Sequence, residues 1–231
     1  MTGPGGADWG AVGARLAELR RRIAAAGGDT ARVRIVAVTK GLAPGAAEAA
    51  LAAGCSEIGE NYADELVTKA ARLRAAARDA HVCWHLIGGI QRRSVPRLAP
   101  YVGLYETVDR LAEGVALARH APGAAVLVEV DTTGLPGRGG VAPGEAGRLV
   151  EGLVALGLDV QGLMTVAAPG DAEGARRCFA AVSSLVAELG LAEASMGMSD
   201  DFEIAVAEGS TMVRVGRALF GPRGARDAMP E

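Results

Sequence analysis

Lys40 closes the segment Arg34-Ile35-Val36-Ala37-Val38-Thr39-Lys40. A primary amine can hold a charge, as arginine can, but it can also condense with a carbonyl carbon, which a guanidinium does not do. The residue choice is informative because the chain has 24 basic residues, of which two are lysine, Lys40 and Lys69. Lys69 reads differently. It follows Glu65 by four positions in a polar helix, the favourable spacing for a solvated ion pair, and is given no function. A strand-end lysine can also simply snorkel to solvent, so Lys40 needs companions before chemistry is assigned to it. Those on offer are Asn61, His85, Met164, the run Ser195-Met196-Gly197-Met198-Ser199, and Arg214-Val215-Gly216-Arg217.

The elements that must position these residues follow from pattern. Ile35 to Val38 are apolar on both faces and mostly β-branched, as in a buried parallel strand. Gly41 and Pro44 stop it and open a helix over about 44–53. Before it, Asp8 can cap a helix running to about Ala26, with Val12, Leu16, Leu19 and Ile23 on one stripe. The strand–helix alternation then repeats. Strands are expected over 57–59, 81–87, 102–107, 124–130, 160–165, 194–196 and 212–215. Helices are expected up to about 77, over 91–98, through 119, from Pro143 to about 156, over 171–189 and 199–208, and briefly after Gly216. Roughly eight β-α units with no break in composition predict an α/β protein, a single (β/α)8 TIM-type barrel with an extra N-terminal helix. A doubly wound open sheet is the structural alternative. The expected division is a disordered stretch over 1–7, the barrel over 8–224 and a tail over 225–231.

Composition narrows the function classes. Half of the 231 residues are hydrophobic but only 3% are aromatic, so the core is expected to be built of Ala, Val and Leu. A formal charge of −3 argues against a general nucleic-acid binder. No apolar run reaches the ~18 residues of a membrane span, and Met1 to Gly5 lack the charged and apolar regions of a signal peptide. Cys55, Cys83 and Cys178 are odd in number and far apart, which fits neither a disulfide framework nor a metal pattern. A cytoplasmic monomer is expected, with no nucleic-acid or membrane partner.

Barrels carry their chemistry at the carboxyl ends of the strands, and frequently bind phosphate in the loops after strands seven and eight. Lys40 follows the first strand and Asn61 the second; His85 lies on the third and Met164 on the sixth. Ser199 is a good helix N-cap, and a helix start beside a glycine presents free N–H groups to an anion. Ordinary capping explains the same residues, and Asp200 and Asp201 in the first turn oppose an anion unless they point away. Arg214 alternates with Val213 and Val215. If the valines face the outer helices, Arg214 faces the barrel mouth, where it needs Glu129, Glu60 or a ligand as partner. His85, the three methionines 164, 196 and 198, and Asn61 default to a satisfied core histidine, packing and a helix cap. An amine, a phosphate cradle and an inward cation on one rim suit pyridoxal 5'-phosphate (PLP). A cofactor-free Schiff-base aldolase on the same barrel is a further possibility.

The segments Val36-Ala37-Val38-Thr39-Lys40, Gly59-Glu60-Asn61-Tyr62, Trp84-His85-Leu86-Ile87-Gly88, Gly162-Leu163-Met164-Thr165, Ser195-Met196-Gly197-Met198-Ser199-Asp200-Asp201-Phe202, Val213-Arg214-Val215-Gly216 and Phe220-Gly221 occur in an order that resembles the pyridoxal phosphate homeostasis proteins. These are stand-alone barrel relatives of the alanine racemase N-terminal domain, and the likeness runs from about residue 8 to 221. It implies that Lys40 carries PLP as an internal aldimine, that Arg214 faces the pyridine nitrogen, that Ser199 and Gly216 hold the phosphate, and that Asn61 and His85 lie near the ring. Met164, Ser195, Met198 and Arg217 complete the expected cofactor set. The family is thought to bind, store or deliver the cofactor, with PLP-requiring apo-enzymes as partners and no robust reaction of its own. A racemase-like enzyme of low activity is the alternative. Racemases on this barrel draw a tyrosine from a second domain, which a chain running only to Glu231 is expected to lack. Two positions depart from the family pattern. Arg217 stands where a hydroxyl residue is frequent, which either replaces a hydroxyl–phosphate bond with an ion pair or leaves only the backbone N–H. Arg92-Arg93-Ser94 stands where an Asn-Lys pair is common.

Overall fold

A computed structural model describes residues 9–76 and 81–222. The expected disorder over 1–7, the Asp8 cap and the tail over 225–231 lie outside these residues. The strands are β1 (Arg34–Val38), β2 (Glu57–Glu60), β3 (Cys83–Leu86), β4 (Val102–Val108), β5 (Ala125–Glu129), β6 (Asp159–Met164), β7 (Glu193–Ser195) and β8 (Met212–Val215). Each pairs in parallel with the next, and β8 pairs with β1, so the sheet closes into a barrel in chain order. This excludes the open-sheet alternative. The helices are α1 (Val12–Ala25) before β1, then α2 (Gly45–Ala52), α3 (Ala63–Ala76), α4 (Val95–Leu98), α5 (Leu111–His120), α6 (Pro143–Ala155), α7 (Ala172–Glu188) and α8 (Phe202–Ala207) between successive strands, and α9 (Arg217–Phe220) after β8. Among the described residues no helix is long and apolar enough to cross a membrane.

Strand alternation divides the side chains into two layers. Val36, Leu104, Leu127, Met164 and Met212 fill the barrel interior. Residues one position along face the helices: Tyr105, Val126, Val128 and Leu163 pack in the large outer cluster, with Ile58 of β2 beside them.

The seam between β8 and β1 needs a separate cover. The helix after the last strand, α9, is only four residues long. The N-terminal helix takes its place. Val12, Leu16, Leu19 and Ile23, the predicted stripe, are buried against Ile35 and Ala37 of β1 and Val213 and Val215 of β8. The valines flanking Arg214 thus face outward, which turns Arg214 inward.

Two local expectations are corrected. A helix was expected from Ser199, but α8 begins at Phe202, and Ser199 does not cap it. Residues 198–201 instead form a turn in which the Asp201 carboxylate accepts the Met198 N–H at 2.6 Å. The Ser199 hydroxyl accepts the Ala218 N–H at 3.1 Å and so caps α9. The second correction concerns Lys69. It does pair with Glu65, at 2.9 Å, but the pair is not solvated: the Lys69 side chain is 0% exposed. Ile58 and Glu60 share the outward face of β2, so Glu60 meets Lys69 of α3 behind the barrel wall at 2.6 Å.

Removing a Leu side chain from a core that cannot collapse costs about 2–5 kcal/mol. Leu19→Ala is expected to fall in that range by chemical denaturation, although Leu19 lies outside the barrel repeat. A loss below about 0.5 kcal/mol, the range of ordinary surface changes, would show that α1 does not seal the seam.

Candidate functional site

The carboxyl ends of the strands surround a cavity of about 470 Å³, lined among others by Lys40, Asn61, Glu129, Met164, Met198, Ser199, Arg214, Gly216 and Arg217. That volume suits a small-molecule ligand. Eight of the ten predicted cofactor-site residues therefore meet on one wall. Lys40 arrives there because β1 ends at Val38 and the chain turns at Gly41, whose φ of +69° is a left-handed conformation that favours glycine. Asn61 is held by close backbone approach. A Cβ at Gly88 would lie 2.2 Å from the Asn61 carbonyl oxygen, so only glycine fits there. The buried Asn61 Oδ1 has no hydrogen-bond partner among the described residues, a polar atom that a ligand in the cavity can satisfy.

Arg214 forms the floor. Its Nη1 donates to the Ser195 carbonyl at 2.8 Å and to Ser195 Oγ at 2.7 Å, and its Nη2 donates to the Thr165 carbonyl at 2.8 Å. Burial pulls the guanidinium below the usual arginine range, and Glu106, Glu129 and Asp201 oppose that shift. Its nearest carboxylate is Glu106, at 3.8 Å. Neither expected partner takes that place: Glu129 acts at longer range, and Glu60 is committed to Lys69.

His85 and Ser195 are the two predicted site residues that the structure does not bring to the cavity wall. Both are fully buried beneath it. His85 Nδ1 meets Glu106 at 2.6 Å and Nε2 contacts Glu57. Ser195 Oγ donates to Glu106 at 2.6 Å. Burial opposes charge on His85. Hydrogen bonds to Cys83, Glu106 and Glu57, with the Glu106 charge, outweigh it and hold the imidazolium well above its usual 6.5. Burial would push Glu106 up, but His85, Arg214 and Ser195 bring it below its usual value.

Glu57 and Glu106 were not anticipated as site supports. A lone carboxylate in the otherwise mostly apolar β4 was the available signal for Glu106. Glu57, Cys83 and His85 offer ligand atoms all within 4.8 Å of one another, a proximity that cysteine spacing alone does not reveal. Positive charge already serves these groups, through the imidazolium and through Arg34, 3.8 Å from Glu57. At the mouth, the Arg217 guanidinium is paired with Asp200, which also accounts for where that acidic residue points.

Glu129, at the end of β5, faces the same cavity. Burial and the nearby Asp109 raise its carboxyl from the usual 4.5 to about 7. Such a group stays protonated in the folded protein at pH values where the unfolded chain has released the proton, so stability falls as pH rises between about 4.5 and 7. Glu129→Gln removes this pH dependence. The melting-temperature difference, variant minus wild type, is expected to be larger at pH 8 than at pH 5; a difference independent of pH would contradict the assignment.

Comparison with known proteins gives the same frame. The alanine racemase N-terminal domain model matches residues 10–224. The pyridoxal phosphate homeostasis protein of Pseudomonas aeruginosa is 37% identical over 215 residues, covering 90% of this chain and 92% of that protein. The protein of the same name from Deinococcus radiodurans is 38% identical over 216 residues, covering 90% and 99%. Among solved structures, PipY of Synechococcus elongatus with PLP bound superposes with a TM-score of 0.79 at 30% identity, covering 91% of this chain and all of PipY. With this fold and this extent of likeness, the chain belongs to the alanine racemase N-terminal domain family, among the pyridoxal phosphate homeostasis proteins.

Proposed function

We propose that this protein binds PLP at the carboxyl mouth of the barrel and acts in its homeostasis, with Lys40 as the covalent anchor. The observation that carries the reading is that Lys40, Ser199, Arg214 and Gly216, separated widely in sequence, line one cavity. PLP supplies an aldehyde that condenses with a primary amine, releasing water, and an electron-withdrawing ring.

The chain's part is to bind and orient. Lys40 offers the amine. Arg214, fixed from below by Ser195 and Thr165, offers a guanidinium to the ring nitrogen from the floor. An arginine keeps its proton, so Arg214 would leave a bound ring nitrogen unprotonated and the ring a weaker electron sink than beside a carboxylate. Ser199 and Gly216 stand at the start of α9, the phosphate end, with Met164 and Met198 on the wall. Arg217 can serve the phosphate through its backbone N–H or through its guanidinium, which an exposed and therefore weak ion pair to Asp200 leaves available. His85 and Ser195 act through Glu106 and Arg214 instead of by contact.

Storage or delivery fits this site better than racemisation. None of Tyr62, Tyr101 and Tyr105 lines the cavity, so the second acid–base group of a racemase is not supplied by a tyrosine of this chain. On this reading the protein is a monomer that hands PLP to apo-enzymes in the cytoplasm. Three free thiols among the described residues fit a reducing compartment.

Addition of PLP to the wild-type protein is expected to produce an absorbance band above 400 nm that Lys40→Ala lacks. An unchanged band in Lys40→Ala would overturn the assignment.

A further inference from the structure

Lys40 sits between two peptide groups, and both are held by the same pair of side chains. The Thr39 carbonyl accepts from Lys69 Nζ at 2.8 Å. The Gly41 N–H donates to Glu65 Oε2 at 2.8 Å. Lys69 and Glu65 are bonded to one another at 2.9 Å, through the same Oε2 that receives Gly41. The third donor of the ammonium goes to Glu60 Oε1 at 2.6 Å, which also accepts the Thr39 hydroxyl at 2.6 Å. An ammonium has three donors, and all three are spent on fixing this corner.

The consequence is geometric. The plane of the 39–40 peptide sets φ of residue 40, and the plane of the 40–41 peptide sets ψ. Fixing both leaves the direction of the Lys40 Cα–Cβ bond no freedom, and only the side-chain torsions remain. The surroundings are rigid as well: Lys69 is fully buried, and Gly41 holds a positive φ that the clamp must maintain. Fixing the stem of the reacting side chain in advance removes part of the entropic cost of bond formation, and better-oriented groups gain rate this way.

We infer that Glu65 and Lys69 are positioning residues for Lys40: from behind the barrel wall they fix the two peptides that aim its amine into the cavity. This rests on the reading of Lys40 as the PLP anchor. It gives the buried pair a role beyond stability, since bracing β2 against α3 would not require contacts on both sides of residue 40. The bond concerned forms when the lysine nitrogen attacks the aldehyde carbon; the C=N bond replaces C=O, and the oxygen and two protons leave as water.

The test compares wild type, Glu65→Ala and Glu65→Gln. Two probes are used: PLP, which can bond to the amine, and pyridoxine 5'-phosphate, which has no aldehyde and senses only the cavity. The rate of appearance of the long-wavelength band and the dissociation constants are measured well below the melting temperature of each apo-protein. Glu65→Ala is expected to slow band formation and weaken PLP by about tenfold or more, with pyridoxine phosphate affinity unchanged within about twofold. Glu65→Gln, whose amide oxygen can still accept from Gly41 and Lys69, is expected to restore PLP behaviour to within about threefold. Unaltered PLP binding in Glu65→Ala overturns the inference, and so does equal weakening of both probes, which would mean a distorted cavity. A wild type that forms no band overturns the underlying reading as well, so the two failures are distinct.

Discussion

Buried charge inside the barrel can persist only in alternation, and that constraint arranges everything near the cavity. Arg34, Glu57, His85, Glu106 and Arg214 run along the inward faces of β1, β2, β3, β4 and β8, each sign meeting the opposite one. Removing His85, Glu106 or Arg214, the buried members, would leave a neighbour uncompensated in a low-dielectric interior, the expensive way to break such a pair. The alternation therefore pins the strand faces: a slip of one residue would turn each charge into the outer layer. Its upper end is Arg214, held as the cavity floor by groups that themselves never reach the cavity.

A second buried charge system lies outside the wall and serves the other side of the site. Lys69, Glu60 and Glu65 occupy the layer between β2 and α3, yet they act on the corner that carries Lys40. The two lysines of the chain thus have complementary environments. One is fully enclosed with every donor committed. The other stands at the cavity wall, where a carbonyl compound can reach it. A chain that uses arginine nearly everywhere else keeps lysine at these two points for different physical reasons: a reacting amine at one, and a compact three-donor ammonium that fits a closed corner at the other.

The barrel was legible because its signals are local and repeat: apolar strands, helical stripes and glycine stops recur along the chain. The site was legible to the same depth. Lys40, Asn61, Ser199, Arg214 and Gly216 follow strand ends, and strand ends of a closed barrel converge. Burial in three dimensions was not legible. The Glu65–Lys69 spacing predicts contact but not whether water covers it, because Glu60, the residue that encloses it, comes from another element. His85 showed a residue type suited to chemistry, and only the positions of Glu57 and Glu106 reveal that both its nitrogens are already engaged. The start of α8 was misplaced because Ser199 is a good cap in isolation; the Ala218 N–H, which claims its hydroxyl, lies far along the chain.

The account turns on which amine of the chain meets the cofactor, and covalent mapping asks this directly. The protein saturated with PLP is reduced with borohydride, digested and analysed by mass spectrometry. The account predicts the reduced adduct on the peptide containing Lys40, with Lys69 unmodified. An adduct on Lys69 or on the amino terminus, with Lys40 unmodified, would contradict it.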